Sequence, residues 1–457
     1  LEGDGPVEVV STDAAWVYAW QPRDLDGDGR ADAKPGFPVR LIPPSSGGPG
    51  QTERVALSAP VLFRTGIGQA GIAVGTSAGG LIALRPDGSI RFSTTLARTP
   101  GERLIAPPAA ADLDGDGLDE FLVALSASGA GRVQAADSEG RLLWSRPFGP
   151  AGRASAPLVA DLDGDGAFDV VVAGTDGVVS AWDRSGTPLP GWPAALGSGV
   201  GAPPAAGDLD GDGLPEIAVS GDNRLYVLHG HGVPVTGFPV VIDRVHPAGA
   251  ILSSPALGDV DGDGMADLVV GLPDGTVAAF HGDGQPAAGF PLGTSGAVSS
   301  SPALGDLTGD GDMAVVVGSD DGFVHLWTFS GRPDVLPWPM LAHDARRTGA
   351  SAAPAQAPPP GDGPLLAAAS VFCYPNPVNA GSTGIRYTLN RPADRVRIRI
   401  FSLAGELVDE MEGTPRQDEN EVRWPVGRVA SGVYLCQVEA RDQTGLQTAF
   451  CKIAVVK

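Results

Sequence analysis

One nine-residue pattern constrains this chain more than anything else in it. Asp24 to Asp32, Asp112 to Glu120, Asp161 to Asp169, Asp208 to Glu216 and Asp259 to Asp267 each carry acids at positions 1, 3, 5 and 9 and glycines at positions 4 and 6. Acids so closely spaced repel unless a cation joins them, and Ca2+ accepts six to eight oxygens at flexible angles. The expected carboxylate ligands are Asp24, Asp26, Asp28 and Asp32; Asp112, Asp114, Asp116 and Glu120; Asp161, Asp163, Asp165 and Asp169; Asp208, Asp210, Asp212 and Glu216; and Asp259, Asp261, Asp263 and Asp267. Position 7 (Arg30, Leu118, Ala167, Leu214, Met265) is expected to offer its main-chain carbonyl, giving about five Ca2+ sites. A degenerate copy holds Asp306, Asp310 and Asp312, but Thr308 replaces the acid at position 3 and Ala314 the one at position 9, so weak binding or none is expected there. Glu2, Asp4 and Glu8 read as a further copy lacking position 1, as if the chain began inside a repeat.

Helical calcium hands do not fit, because the bidentate Glu those hands need at position 12 is Val123, Val172, Val219 and Val270 here. Each loop instead leads into a short β-branched run such as Asp169-Val170-Val171-Val172-Ala173, which reads as a buried strand. The net charge of −23 is also local. Positions 1, 3, 5 and 9 of these loops account for 25 of the 54 acids, and the 29 others nearly balance the 31 Lys and Arg. The acidity therefore marks metal sites and not a steering field, and without a basic stripe nucleic acid is not an expected partner. The sequence has no apolar run long enough for a transmembrane segment.

Loops from Asp112 to Asp306 begin 49, 47, 51 and 47 residues apart, a period of propeller blades or large arrays. Each unit opens on Ser-Ala-Pro or a variant and is expected to hold four strands, as in SAPLVADL, FDVVVAG, VVSAW and a short one near Gly191-Trp192-Pro193. Units are expected over 1–41, 58–98, 106–148, 155–196, 202–242, 253–292 and 300–341. The second has Arg64-Thr65-Gly66-Ile67-Gly68 in place of acids, so it should keep the fold without the metal. The first lacks its opening strand, to be supplied after Leu341 or from outside the chain. Aromatic-proline pairs at Phe37, Trp192, Phe238, Phe290 and Trp338 are expected to mark the last strand of a unit, packing against the neighbouring unit.

These Asp-rich loops at this spacing resemble the FG-GAP or VCBS repeats of integrin-α-like propellers. The resemblance implies an all-β chain with a seven-bladed, calcium-bearing β-propeller over 1–344 and a role in adhesion or ligand binding. Residues 345–369, rich in Ala and Pro, are expected to form a semi-rigid linker. Beyond them, alternating runs at 385–389, 396–400, 433–436 and 453–456 suggest a small β-sandwich. Tyr374-Pro375-Asn376-Pro377, Ile385-x-Tyr387-x-Leu389, the 401–408 run, Trp424, Ser431-Gly432-Val433-Tyr434 and Lys457 resemble the C-terminal sorting domain of type IX secretion, close to an Ig-like fold. Trp424-Pro425-Val426-Gly427 is shorter than the corresponding segment of that family. The resemblance implies that 370–457 engages outer-membrane secretion machinery and delivers the protein outside the cell or onto its surface.

Cys436 and Cys451 face each other if the chain turns at Asp442 to Gly445, so they are either a disulfide or two buried thiols, with Cys373 left free. His229, His231 and His281 fall in glycine turns and are expected to be exposed, with zinc binding the alternative. No nucleophile or acid-base constellation stands out, so a non-enzymatic binding module for an extracellular protein or glycan is expected. A calcium-bearing polysaccharide lyase, a quinone-dependent dehydrogenase and the passive stalk of a larger enzyme are the rival readings.

Overall fold

The computed structural model describes residues 9–13, 15–21, 32–42, 55–66, 69–99, 101–104, 106–127, 130–148, 153–197, 199–200, 202–242, 251–307, 309, 311–351, 365–366, 371–374, 378, 381–389, 391–402, 405–416, 418–427, 429–442 and 445–456. The described residues are all β, in two compact units over 1–354 and 355–457. Among them no helix is long and apolar enough to cross a membrane.

Seven antiparallel sheets make up the described part of the first unit. The fourth shows the design: Leu158–Ala160, Asp169–Ala173, Val178–Trp182 and Ala194–Ala195 pair in chain order. Asp169–Ala173 is buried throughout, because neighbouring sheets cover both of its faces. That is why it reads as an unbroken apolar run and not as an alternating one. First strands of successive sheets, from Val61–Gly66 to Ala303–Gly305, touch one another in order and so line a common axis. Crowding there explains their small residues, as in Ala109–Ala111 and Ala205–Gly207. The arrangement is propeller-like.

The second sheet keeps four strands without an acidic loop, as expected. Aromatic residues do pack between sheets: buried Trp192 donates its indole N–H to the Gly230 carbonyl of the next sheet at 2.8 Å. The prolines that follow these aromatics precede the short outer strands Val39–Arg40, Ala194–Ala195, Val240–Val241 and Leu292–Gly293 and do not lie within them. The first sheet pairs Gln21 with Asp32, so the Asp24 loop joins its second and third described strands, a different hairpin from the other loops.

Trp338-Pro339 departs from the expected pattern. The seventh sheet ends with Val324–Phe329, and no fourth strand joins it among the described residues. The chain instead turns in along the first strands. Asp259, Leu257 and Leu304 donate their N–H groups to the carbonyls of Val335, Trp338 and Pro339 at 3.0, 2.8 and 2.8 Å. Further on, Leu62, Ala110 and Val159 donate to Arg346, Thr348 and Gly349 at 2.9, 2.8 and 2.8 Å. First strands of five sheets are thus bridged by one segment, Arg332 to Ser351. Among the described residues, those from Ala342 to Ser351 pair with sheets two to four and not with the first sheet, and 345–351 are part of this unit and not of a linker. Unpaired backbone groups at the crowded axis account for the path, since each buried N–H must find an acceptor. Trp338, only 1% exposed, anchors it, with its ring edge-on to His343 at 5.0 Å. Among the described residues this leaves the outer edge of the seventh sheet unpaired, and Phe323, Val324 and Leu326 are exposed there.

The second unit is a sandwich of two sheets. Phe372–Tyr374, Ser382–Leu389 and Asp418–Pro425 form one, and Leu407–Gly413, Arg395–Ser402, Gly432–Asp442 and Gly445–Val455 the other. Tyr387, Ile398, Ile400, Trp424, Val438 and Ile453 fill the space between them. Trp424 and Tyr387 carry polar tips, satisfied by Asp409 at 3.0 Å and by the Thr414 carbonyl at 2.9 Å.

Candidate metal centres

Each acidic loop from Asp112 to Asp306 joins the first and second strands of its sheet, and its own amides shape it. Asp161 accepts from Gly164 N–H at 2.8 Å through one carboxylate oxygen and from Gly166 N–H at 3.0 Å through the other. Both glycines hold φ near +80°, at +75° and +82°, where a side chain would be strained. Asp165 accepts from Ala167 N–H at 2.7 Å. Asp169, first residue of the buried strand, accepts from Leu162 N–H at 3.0 Å and so pins the loop to the core. Position 1 makes the same pair of bonds at Asp112, Asp208, Asp259 and Asp306. Position 9 makes its bond at Glu120, Glu216 and Asp267. Leu118, Leu214 and Met265 likewise have their N–H groups held by Asp116, Asp212 and Asp263.

The remaining oxygens converge. Ligand atoms of Asp112, Asp114 and Glu120 lie within 4.8 Å of one another, as do those of Asp161, Asp163 and Asp169. In the next two loops a histidine joins: Asp210, Glu216 and His229, then Asp261, Asp267 and His281. Position 9 carries the electrostatic cost. Burial, with the neighbouring acids adding to it, pushes Glu120, Asp169 and Asp267 up to about 7. Burial also raises Asp161, Asp208 and Glu216 above the usual carboxylate range. A buried oxygen of Asp261 makes no hydrogen bond, and the buried oxygen of Asp267 has only His281 Nδ1 before it. Converging acids with unsatisfied buried oxygens are a donor set that fits a hard divalent cation.

His229 and His281 correct the expectation of exposed turn residues. Each is about a quarter exposed and faces the loop of its own sheet. His229 Nδ1 lies 3.4 Å from Glu216 and 3.7 Å from Asp210, and His281 Nδ1 lies 2.9 Å from Asp267. The bond to Glu216 raises His229 above the ordinary imidazole value. Both occupy the hairpin position of Asp137 and Asp183, which is why the sequence reads as a simple turn; His231 stacks on His229 at 5.4 Å. Sequence reasoning also missed Arg64. In the second sheet, which lacks an acidic loop, it donates to Asp119 at 2.6 Å from its backbone and 2.8 Å from its guanidinium, which also lies 3.7 Å from Asp112. Its only signal was a basic residue at the point where the other units place an acid.

Asp306 forms the expected turn, but Ala314 brings no carboxylate to it. Asp32 begins a strand. Glu2, Asp4, Glu8, Asp24, Asp26, Asp28, Arg30, Thr308 and Asp310 lie outside the described residues.

Sheets that share an axis and carry acidic first-to-second-strand loops define a propeller-like repeat protein. Residues 112–172, 161–219, 208–270 and 259–317 match the FG-GAP-like repeat family, and residues 373–451 match the secretion system C-terminal sorting domain. The chain thus carries four FG-GAP-like repeats and a secretion system C-terminal sorting domain, which marks it as exported and either secreted or held at the outer cell surface. No curated protein sequence matches it. It is similar to the solved structure of BBS1N in complex with ARL6DN soaked with lead, at 14% identity over 72% of this chain and 89% of that one, TM-score 0.45. It is also similar to the Vibrio cholerae biofilm matrix protein Bap1, at 14% identity over 88% of this chain and 67% of that one, TM-score 0.40. The computationally designed Ika4 protein aligns at 20% identity over 40% of this chain and 94% of that one, TM-score 0.29.

Proposed function

We propose that this exported chain is a calcium-stabilised binding or adhesion module whose sheets close into a seven-bladed ring, delivered by the type IX machinery through its second unit. The convergence of position 3 and 9 acids beneath each described complete loop, joined by the position 1 acid at Asp112 and Asp161 and by a histidine in the next two loops, carries the reading, together with the Glu120, Asp169 and Asp267 carboxylates that burial holds near 7 in the absence of a cation. Bound Ca2+ would supply the positive charge that lets these acids ionise. Asp112, Asp114, Asp116 and Glu120, and their counterparts in the other loops, would hold it, with the position 7 carbonyls completing the shell. Loop and strand then become one rigid corner, and binding to the folded state alone adds stability by mass action.

A lyase on this scaffold would need a base and a cation-bound substrate at the axis of the ring. Arg332 to Ser351 occupies that axis, hydrogen-bonded to the first strands, which favours recognition on the outer faces over chemistry at the centre. Probing calcium-loaded and chelated protein on glycan and extracellular-protein arrays tests the reading. Calcium-dependent retention of a ligand supports it. Identical blank arrays in both states would reduce the first unit to a stalk, and turnover of an arrayed polysaccharide would restore the lyase.

A further inference from the structure

Three sulfur atoms meet inside the second unit. Cys436 pairs with Cys451 directly across adjacent strands, as the turn arithmetic anticipates. Directly opposed residues send their side chains to the same face of the sheet. That face looks onto the other sheet, where Cys373 sits in Phe372–Tyr374. The close contact is with that third cysteine: Cys373 Sγ lies 3.0 Å from Cys451 Sγ. Ligand atoms of all three fall within 4.8 Å of one another. Cys436 is fully buried and Cys373 nearly so, while Cys451 is partly exposed.

We propose that in the exported protein Cys373 and Cys451 form a disulfide joining the two sheets of the sorting domain, with Cys436 left as a buried thiol beside it. Cys436 and Cys451 are already held in register by the ladder of their own sheet, and a bond between them would close only a short hairpin. A bond to Cys373 spans 78 positions and ties the edge strand of one sheet to the last strand of the other. A longer closed loop takes more freedom from the unfolded chain. Export through an oxidising compartment supplies the setting. The oxidant is an external disulfide, on a dithiol oxidase or a small thiol. Cys451, the accessible sulfur, loses its proton and attacks that disulfide, forming a mixed disulfide and releasing one external thiolate. Cys373, deprotonated in turn, attacks Cys451 Sγ and expels the second external sulfur. Two protons leave the protein, and its two electrons reduce the external disulfide to two thiols.

The test uses full-length protein recovered from an oxidising export compartment, denatured without reductant, alkylated with iodoacetamide and mapped by proteolysis. One alkylated cysteine, Cys436, and a peptide linking 373 to 451 are the expected result, with the link lost on reduction. The variant C436S should retain the same link. Three alkylated cysteines, whether previously free or held by a soft metal, or a 436 to 451 link in the unaltered protein, would overturn the proposal. The peptide map of the unaltered protein decides the matter even if the variant folds poorly.

Discussion

Removing calcium should make the first unit sensitive to alkali in a way its sequence composition alone would not suggest. Without a cation, Glu120, Asp169 and Asp267 titrate near 7 in the folded protein, against ordinary values of 4.5, 3.8 and 3.8. Between those values and 7 the folded chain binds more protons than the unfolded one, so stability falls as pH rises through this window and is lowest above it. Each fully ionised buried acid costs about 3–4 kcal/mol, or on the order of 10 kcal/mol for the three. For a cooperative unit of this size that corresponds to a fall in Tm of roughly 10 °C between about pH 5 and about pH 8. Thermal unfolding followed by circular dichroism, in excess EDTA at both pH values and again with calcium, reads the effect directly. Calcium should remove most of the difference by raising the Tm at the higher pH. Equal Tm values in EDTA at both pH values, or a melt at pH 8 that ignores calcium, would refute the reasoning, because the buried acids would then be satisfied without a metal.

Other perturbations probe separate parts of the account. Trp338→Ala empties a site that is 1% exposed beside the first strands and should destabilise the first unit by about 3–5 kcal/mol, seen as an earlier melt of that unit alone. Arg64→Ala leaves the buried Asp119 carboxylate without its guanidinium and should cost about 1–2 kcal/mol, discounted because Arg64 is partly exposed; denaturant unfolding checks it. Gly230→Ala would drive a methyl group into the Leu162 carbonyl of the preceding sheet, so loss of soluble protein or a markedly lowered Tm is expected on expression and melting.

Much of the fold was legible because its signals repeat. Val170, Val171 and Val172 mark a buried strand in one unit, and their counterparts do so in the next, so local ambiguity averages out. The loops were equally plain, because their acid and glycine spacing maps directly onto turns closed by Asp161 and Asp169. What escaped was set by tertiary contact. Trp338-Pro339 looks like its four relatives, yet unpaired N–H groups on Leu257 and Leu304 draw it to the axis, and no local pattern records that demand. His229 and Arg64 matter through partners 13 and 55 residues away. In the second unit Leu407–Gly413 and Asp418–Pro425 are strands although rich in charge, since most of their partners come from across the sheet. The cysteine register followed from counting, but the approach of Cys373 required the second sheet.

Metal analysis tests the central claim most directly. Protein equilibrated with calcium, passed through a desalting column and analysed by elemental mass spectrometry should retain calcium in proportion to its complete acidic loops, and should lose one equivalent for each loop whose position 9 acid is replaced, as in Asp169→Asn or Asp267→Asn. Protein that folds and melts normally while retaining no calcium would contradict the account.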